Sequence, residues 1–437
     1  PSILRRRKNK GIDMQRRQFI GQIGAGLLAA GSSGCASLVG QAQAKVVVVG
    51  GGYGGATVAR YLRIWSGGSV AVTLIEPNPH FISCPLSNLV IGGSLQLSDL
   101  TLSYDALQQK HGVQVLRDTV TDINPNGKTV SLASGKQLAY DRLILSPGIE
   151  FMYETVAGMQ TEAAQQQILH GWKAGAQTLA LRQQLEAMPD GGRYALFIPA
   201  APYRCPPGPY ERACQVASYF KQAKPKSKVL IFDANPDVTS KGPLFKKAWA
   251  ERYAGIIDYQ AKFVIGEVDA AKKTVVSEFG DKVQADVINL IPPQRAAKLA
   301  TQAGLANMNK RWCEVDFLSM ESTQAKFIHV LGDAIQIAPL MPKSAHMANQ
   351  QAKVCAAAVI DLLQGQSVNQ QPMLTNTCYS YVSPQEVIHV ASVHSYDAAK
   401  KTMLSVPGAG GVSSAASALE GEYAMNWAKN IWADSLL

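Results

Sequence analysis

Runs of apolar residues, broken by turns, divide the first part of the chain into strands and one helix. Four valines at 46–49 predict a buried strand, the apolar positions at 56–64 predict an amphipathic helix, and the apolar run at 70–75 predicts a second strand. Strands that alternate with helices in this way are typical of parallel α/β sheets. The pattern therefore predicts a βαβ unit over this part of the chain.

The same pattern recurs further along the chain. Apolar runs at 193–200 and 226–235 predict parallel strands on either side of a helix at 209–224. Alternating apolar and polar residues around a Gly turn at 128–149, and again at 275–294, predict a hairpin followed by an exit strand. We therefore expect two units of similar design, each accompanied by a hairpin.

The remainder of the chain combines one more strand and a long helix with a different C-terminal segment. Residues 327–331 predict a strand, 332–333 a turn, and 344–363 a long helix with an apolar face. From about residue 367 the pattern predicts short strands, followed by a Gly/Ala/Ser-rich segment at 407–418. This change of character indicates a third, smaller domain.

A glycine motif lies between the first predicted strand and its helix. Gly50, Gly52 and Gly55 have the spacing Gly-x-Gly-x-x-Gly, and Glu76 ends the next strand. In this context Gly50 permits a tight turn, Gly52 lets the backbone approach a pyrophosphate, and Gly55 allows close packing of the helix. The N–H groups at the start of the helix would bind the phosphates, and Glu76 would accept hydrogen bonds from an adenosine ribose. The motif predicts a dinucleotide-binding site.

The second unit lacks this motif. Where the glycines would stand, the segment RCPPGPYERAC at 204–214 carries prolines and two cysteines. Pro202, Pro206 and Pro207 have no backbone N–H and a fixed φ, so the backbone cannot approach and bind a pyrophosphate. We therefore do not expect NAD(P)H to be the electron donor.

The first 44 residues have the features of a twin-arginine export signal. Arg16 and Arg17 precede a weakly apolar, Gly/Ala-rich run, and small residues at 42–44 resemble a cleavage site. Because the run is short and rich in glycine, a transmembrane anchor is not expected; a basic disordered arm is the alternative. Met14 would be the start of translation, and the mature protein would reach a bacterial periplasm, where disulfides persist.

Much of the positive charge of the chain lies in this leader. The chain of 437 residues has 42 Lys and Arg and 32 Asp and Glu, a formal net charge of +10. Without residues 1–44, 35 basic and 31 acidic residues remain, and the net charge falls to +4. The mature chain therefore lacks the basic excess that favours nucleic-acid binding, and we predict for it neither an integral membrane segment nor a metal site.

Three features occur in the order found in one flavoprotein superfamily: the glycine motif, Ser146-Pro147-Gly148 at the exit strand, and the Gly332-Asp333 turn. Over 45–365 the chain resembles the FAD/NAD-linked disulfide reductases. The resemblance implies an α/β fold with two Rossmann-like, glutathione-reductase-like domains and a smaller α+β C-terminal domain. It also implies that Gly332 and Asp333 bind the ribityl chain or a phosphate of FAD. The implied divisions are an export signal with its upstream extension at 1–44, an FAD-binding domain at 45–150 and 293–366, a second Rossmann-like domain without a dinucleotide loop at 151–292, and a C-terminal interface domain at 367–437.

Three cysteine-containing segments narrow the resemblance. HFISCPLSNLVIGG, YRCPPGPYERA and LTNTCYSYVS resemble the flavoprotein subunit of flavocytochrome c sulfide dehydrogenase, over essentially the whole mature chain. That family, which is related to the sulfide:quinone oxidoreductases, implies a covalent 8α-S-cysteinyl FAD at Cys84 and a redox-active disulfide between Cys205 and Cys378. It further implies an acid/base role for Glu211.

The residues alone leave other roles open for these side chains. Six mature cysteines allow many pairings, which the sequence does not rank, and an ordinary loop thiol is the alternative for Cys84. A purely structural disulfide is the alternative for Cys205 and Cys378, and a solvated glutamate that complements a helix dipole is the alternative for Glu211. Buried, unreactive thiols are expected at the remaining mature cysteines: Cys214, Cys313 and Cys355.

The resemblance implies that the protein oxidises hydrosulfide to sulfur or polysulfide through the disulfide and FAD. Because the chain has no Cys-x-x-Cys-His motif, a haem would belong to another polypeptide; the resemblance implies a c-type cytochrome subunit with one or two haems. A sulfide:quinone oxidoreductase is the first alternative, in which Trp427, Ile431 and Trp432 would form a membrane contact instead of packing in the core or against a subunit. A non-catalytic flavin-binding sensor or assembly protein is the second.

Overall fold

Strands and helices alternate through most of the structure, as the apolar pattern predicted. The computed structural model describes residues 43–437, which form one compact unit. Met14, Arg16 and Arg17 of the predicted export signal lie outside the described residues.

Most of the strands are short, and they belong to several sheets. In chain order they are β1 (Ala44–Val49), β2 (Val70–Ile75), β3 (Phe81–Ile82), β4 (Thr101–Leu102), β5 (Gln114–Leu116), β6 (Val120–Asn124), β7 (Thr129–Leu132), β8 (Gln137–Ala139), β9 (Arg142–Leu145), β10 (Ile149–Phe151), β11 (Arg193–Ile198), β12 (Lys228–Asp233), β13 (Ile257–Ala261), β14 (Ile265–Asp269), β15 (Thr274–Ser277), β16 (Lys282–Gln284), β17 (Val287–Leu290), β18 (Gln294–Ala296), β19 (Val315–Asp316), β20 (Glu321–Ser322), β21 (Ile328–Val330), β22 (Met373–Tyr381), β23 (Val387–Asp397), β24 (Thr402–Ser405) and β25 (Gly411–Val412).

The helices range from one turn to five. They are α1 (Tyr53–Trp65), α2 (Ser87–Gly92), α3 (Asp105–Gln109), α4 (Glu162–Gln167), α5 (Ala176–Ala187), α6 (Gly208–Ala223), α7 (Gly242–Arg252), α8 (Lys298–Gln302), α9 (Ala345–Leu363) and α10 (Ala418–Leu436), with 3-10 turns at Leu97–Leu100, Tyr153–Thr155 and Gly332–Ala334.

Strands β1 and β2 of the first predicted unit belong to a seven-stranded sheet with the order β19-β20-β21-β9-β1-β2-β5. Strand β1 pairs in parallel with β2 and β9, and β21 pairs in parallel with β9. The valines of β1 are buried on both faces, as parallel strands covered by helices require. The carboxyl ends of β1, β9 and β21 lead into Gly50, Ser146 and Gly332, which brings the glycine motif and the Gly-Asp turn to one edge of this sheet.

The second predicted unit forms a separate parallel sheet with the order β13-β12-β11-β17. Strands β11 and β12 flank α6, so the predicted strand-helix-strand unit is confirmed. Both predicted hairpins are confirmed as well, by the antiparallel pairs β7-β8 and β15-β16. The structure therefore has the α/β fold expected of two Rossmann-like units, while the boundaries proposed between domains remain predictions.

The C-terminal part differs from the sequence prediction in the length of its strands. The prediction of short strands is wrong for β22 and β23, which have 9 and 11 residues and pair along all of β22. Hairpin strands of this length are stabilised by cross-strand pairs of side chains on one face of the sheet and by the packing of α9 and α6 on β22. A short apolar run in the sequence does not indicate these contacts. Cys378 lies on β22, the strand that packs against α6 of the second unit.

The last helix, α10, packs on the first unit. The Trp432 indole N–H donates to the Tyr53 hydroxyl at 3.0 Å, and the Thr57 hydroxyl donates to that of Ser435 at 2.9 Å. Ile431 is buried. These contacts agree with the core-packing alternative for the C-terminal aromatic residues. No helix among residues 43–437 is long and apolar enough to cross a membrane.

Candidate functional site

One large cavity lies where the two sheets, α9 and β22 meet. Of the ten site residues predicted from the sequence, only Gly55 is outside the cavity lining. The nine that line it are Gly50, Gly52, Glu76, Cys84, Cys205, Glu211, Gly332, Asp333 and Cys378. The fold therefore brings residues from four distant segments of the chain to one place.

The three motif glycines have different physical reasons to lack a side chain. Gly50 has a φ of +95°, and a Cβ there would lie 2.4 Å from the Ser146 carbonyl oxygen. A Cβ on Gly55 would lie 1.7 Å from the Gly50 carbonyl oxygen, so this glycine permits the close packing of α1. A Cβ on Gly52 would meet no atom within 4 Å, because this residue faces the cavity. Gly52 thus leaves room for a ligand against the backbone.

Glu76 connects the end of β2 to the glycine loop. Its Oε2 accepts a hydrogen bond from the Gly51 N–H at 2.7 Å, and its Oε1 accepts from the N–H and side-chain amide of Asn78 at 2.8 and 2.6 Å. The carboxylate is buried at the cavity wall. It therefore holds the loop while presenting remaining lone pairs to a ligand.

Asp333 offers an unused acceptor to the cavity. Its Oδ1 is buried and, among residues 43–437, has no hydrogen-bond partner; its Oδ2 lies 3.9 Å from Nη1 of Arg204. A buried carboxylate oxygen without a donor is costly, and a ribityl hydroxyl would supply that donor. The glycine loop, Glu76 and Asp333 therefore fit the pyrophosphate, the adenosine ribose and the ribityl chain of an FAD molecule.

The N-terminus of α9 also faces the cavity. The Ser344 hydroxyl caps this helix by accepting from the Met347 N–H at 3.0 Å, and Ser344, Ala345 and His346 line the cavity. The unpaired N–H groups and the helix dipole favour negative charge at this position. This arrangement matches the predicted start of the helix at 344.

Cys84 lies in the turn between β3 and α2. Its carbonyl oxygen accepts from the Ser87 hydroxyl at 2.7 Å, and its Sγ is 3.7 Å from Nη2 of Arg204. Its side chain is half-buried and lines the cavity. The thiol is therefore directed at the same space as the glycine loop, with a guanidinium close by.

Cys205 has a backbone conformation that is uncommon for a residue with a side chain. Its φ is +55°, and its N–H donates to the Lys343 carbonyl at 2.8 Å. A Cβ on Gly208 would lie 2.9 Å from the Cys205 Sγ, so only glycine leaves room for the sulfur. Burial, then the charge of Cys378, raises the pKa of the Cys205 thiol, although one side of it is exposed to the cavity.

Cys378 faces the same cavity from β22. Its Sγ accepts a hydrogen bond from Nδ2 of Asn376 at 3.3 Å. Burial raises the pKa of Cys378, whereas the nearby Lys241 and the Asn376 hydrogen bond lower it. Both cysteines are free thiols in the structure, and the disulfide between them stays a prediction.

Glu211 is buried, so the alternative of a solvated glutamate is wrong. Its Oε2 accepts from Nδ2 of Asn88 at 2.7 Å, and its Oε1 accepts from the Tyr381 N–H at 2.9 Å. Burial raises the pKa of this carboxyl above its ordinary range, against the opposing effect of these hydrogen bonds. A buried carboxyl with a raised pKa that lines the same cavity as two cysteines is suited to take up and release a proton.

The sequence did not identify several residues that shape the site. Arg204 and Gly208 lie within the quoted RCPPGPYERAC segment but belong to no general motif. Lys241, from the start of α7, and Asn88, from α2, reach the site only through the fold. The expectation of burial is confirmed for Cys214, Cys313 and Cys355.

Three family models match parts of the chain, two of which overlap at residues 178–187. Residues 44–187 match the pyridine nucleotide-disulphide oxidoreductase model. Residues 178–292 match the central part of the sulfide dehydrogenase (flavocytochrome c) flavoprotein chain, and residues 370–436 match the flavin-binding part of flavocytochrome c sulphide dehydrogenase.

Individual proteins show the same similarity. The flavoprotein chain of the sulfide dehydrogenase (flavocytochrome c) of Chlorobaculum thiosulfatiphilum is 56% identical over 46 residues, which are 10% of this chain and 94% of that sequence. The mitochondrial sulfide:quinone oxidoreductase of Mus musculus is 26% identical over 67% of this chain and 66% of its own, slightly less than two thirds of its length. The crystal structure of the sulfide:quinone oxidoreductase of Aquifex aeolicus superposes with a TM-score of 0.73 at 19% identity, covering 90% of this chain and 91% of that one, which shows the shared fold.

Proposed function

Because the chain belongs to the family of flavoprotein chains of flavocytochrome c sulfide dehydrogenase, we propose that it oxidises hydrosulfide and passes the electrons through FAD to a c-type cytochrome. The product would be sulfur or polysulfide. One observation carries this proposal: Cys205 and Cys378 line the same cavity as the glycine loop and Asp333, beside a buried glutamate.

FAD fits the residues that line the cavity. Gly52 leaves the backbone open to a pyrophosphate, Glu76 and Asp333 have free acceptor sites for hydroxyl groups, and Cys84 lies in the same wall. We propose that Cys84 holds the flavin through an 8α thioether. When bound, FAD would supply a two-electron acceptor beside the cysteine pair.

The cysteine pair would carry out the first step as a disulfide. Hydrosulfide attacks one sulfur, a new S–S bond forms to that sulfur, and the electron pair of the broken bond leaves on the other cysteine as a thiolate. Cys205 is exposed to the cavity, whereas Cys378 accepts a hydrogen bond that stabilises negative charge. We therefore assign the attack to Cys205 and the leaving thiolate to Cys378. Glu211, whose two oxygens both accept hydrogen bonds from N–H groups as a carboxylate does, would take up the hydrosulfide proton.

The electrons would leave to a haem on another polypeptide. The sequence has no haem-attachment motif, and the family is named for a flavocytochrome c. We accordingly propose a c-type cytochrome subunit, with one or two haems, as the partner. The paired arginines Arg16 and Arg17 support a periplasmic location for this complex.

A sulfide:quinone oxidoreductase is the second candidate, because enzymes of this kind are among the similar proteins. Sulfide-dependent reduction of a soluble c-type cytochrome and of a water-soluble quinone would be compared on the same preparation. Faster reduction of the cytochrome supports the first proposal. Reduction of the quinone alone would establish the second candidate.

A further inference from the structure

A buried lysine lies directly behind Cys378. Lys241 precedes α7 with a φ of +56°, in the left-handed region that is unfavourable for a residue with a Cβ. Its side chain is buried, with 8% of the residue exposed. The Nζ donates to the Cys378 carbonyl and to the Ser380 hydroxyl, both at 2.8 Å. The ammonium group is therefore fixed against the backbone of the strand that carries the reactive sulfur.

The hydrogen-bond partners of Lys241 do not neutralise its charge. They are two backbone carbonyls and one hydroxyl, the third being the Ile388 carbonyl at 3.4 Å. Within residues 43–437, Lys241 forms no salt bridge with a carboxylate. Because burial of an uncompensated charge is costly, a buried ammonium at this position calls for an anion that forms nearby.

The ionisable groups with the largest electrostatic effect on Lys241 are acids. They are Cys378 and Glu420 from the C-terminal part, and Glu211 and Cys205 from α6 and the loop before it. Burial lowers the pKa of Lys241 to about 8, against the opposing effect of these acids. The lysine is thus still mainly protonated at neutral pH, while burial raises the pKa of both cysteines.

We propose that Lys241 is a positioning residue that stabilises the thiolate of Cys378 when the bond between Cys205 and Cys378 opens. This inference rests on the proposed function. In a site of low dielectric, a fixed cation behind the strand lowers the free energy of a new anion far more than it would in water. Cys378 also accepts from Asn376, whereas no donor to the Cys205 Sγ is found in the described part of the chain. The negative charge is therefore directed to Cys378.

Alkylation of the reduced thiols tests this inference without sulfide or an electron acceptor. The FAD-loaded protein is reduced under anaerobic conditions, and the rate of iodoacetamide labelling at Cys378 and Cys205 is followed by peptide mass spectrometry from pH 6 to 10. For Lys241→Met we expect the apparent pKa of Cys378 to rise by about one unit, and labelling at pH 7 to slow about tenfold. Labelling of Cys205 should change less. The Lys241→Arg variant keeps the charge and should restore most of the wild-type rate.

A matched variant separates charge from packing. Ser380→Ala removes one acceptor of the hydrogen bonds that Nζ donates and leaves the ammonium group in place, so the labelling profile of Cys378 should stay close to wild type. Identical Cys378 profiles for wild type and Lys241→Met would overturn the inference, as would equal slowing in Lys241→Met and Ser380→Ala.

If Lys241→Met does not fold, the Lys241→Arg and Ser380→Ala variants still test the inference. Both variants keep the positive charge, so slowed labelling of Cys378 in both would contradict a role for that charge. A wild-type protein that does not oxidise sulfide, but shows the lysine-dependent profile, would contradict the proposed function and leave this inference intact.

Discussion

A hydrogen bond between Glu211 and Tyr381 connects α6 with β22: Oε1 of Glu211 accepts from the backbone N–H of Tyr381 at 2.9 Å. Glu211 stands in the first turns of α6, shortly after Cys205, and Tyr381 ends β22, shortly after Cys378. The hydrogen bond therefore holds together the two elements on which the cysteines lie. The same carboxyl group lines one cavity with both cysteines, where we propose that it exchanges a proton with them.

Glu211→Gln should slow the reduction of flavin by sulfide about 100-fold, the usual size of a lost general acid/base. Glutamine is similar in shape and can still accept one of the two hydrogen bonds, but it cannot take up a proton. Stopped-flow absorbance at 450 nm under anaerobic conditions measures the rate. Glu422→Gln, at an exposed position of α10, is the matched control and should behave as wild type. A Glu211→Gln rate equal to that of wild type would remove the acid/base role.

Cys84→Ala should release the flavin from the denatured protein. After acid precipitation, the wild-type pellet should keep the yellow chromophore, because a thioether survives denaturation, whereas the flavin of Cys84→Ala should remain in the supernatant. Cys205→Ser is the control and should keep its flavin in the pellet. Free flavin in the wild-type supernatant would show that Cys84 is not a covalent attachment site.

Two glycine variants should separate binding from folding. Gly52→Val places its side chain in open space, so the protein should fold with an unchanged Tm but bind FAD about tenfold more weakly, since the pyrophosphate can no longer approach the backbone. Gly55→Ala places its Cβ against the Gly50 carbonyl and should cost about 1–3 kcal/mol of stability. Flavin-to-protein absorbance ratios and thermal unfolding measure the two effects. The affinity for FAD is measured in the Cys84→Ala background, where no thioether can hold the flavin. Equal affinity with and without Gly52→Val in that background would mean that the loop does not bind the pyrophosphate.

The stability of the protein should depend on pH through Lys241. Burial lowers the pKa of this lysine from 10.5 to about 8 in the folded protein, so between these pH values the unfolded chain binds more protons than the folded one. The free energy of unfolding should therefore rise with pH in this window, by at most about 1.4 kcal/mol per pH unit from this group. Urea unfolding of wild type and Lys241→Met at pH 7.5 and pH 10 measures the difference. Parallel changes in the two proteins would show that Lys241 does not titrate in this range.

The parts of the fold that local sequence determines were predictable. A run of valines, a Gly-x-Gly-x-x-Gly turn and an acid at the end of the next strand are neighbours in both sequence and space, so Gly50, Gly52 and Glu76 were predicted directly. The close packing that explains Gly55 also follows from the motif.

The contacts between distant segments were not predictable from local patterns. Whether Glu211 is solvated or buried depends on Asn88 and Tyr381, which lie far from it in sequence. Lys241 carries no motif, and only the fold places its ammonium group behind Cys378. The pairing of Cys205 with Cys378 likewise came from a family resemblance, because the spacing of cysteines does not select a pair.

Anaerobic mixing of the FAD-loaded protein with hydrosulfide tests the central claim most directly. We predict that the flavin absorbance of the wild-type protein bleaches rapidly, and that Cys205→Ser, which retains FAD, stays oxidised. Wild-type flavin that remains oxidised in the presence of sulfide, or a Cys205→Ser variant that bleaches at the wild-type rate, would contradict oxidation of sulfide through this cysteine pair.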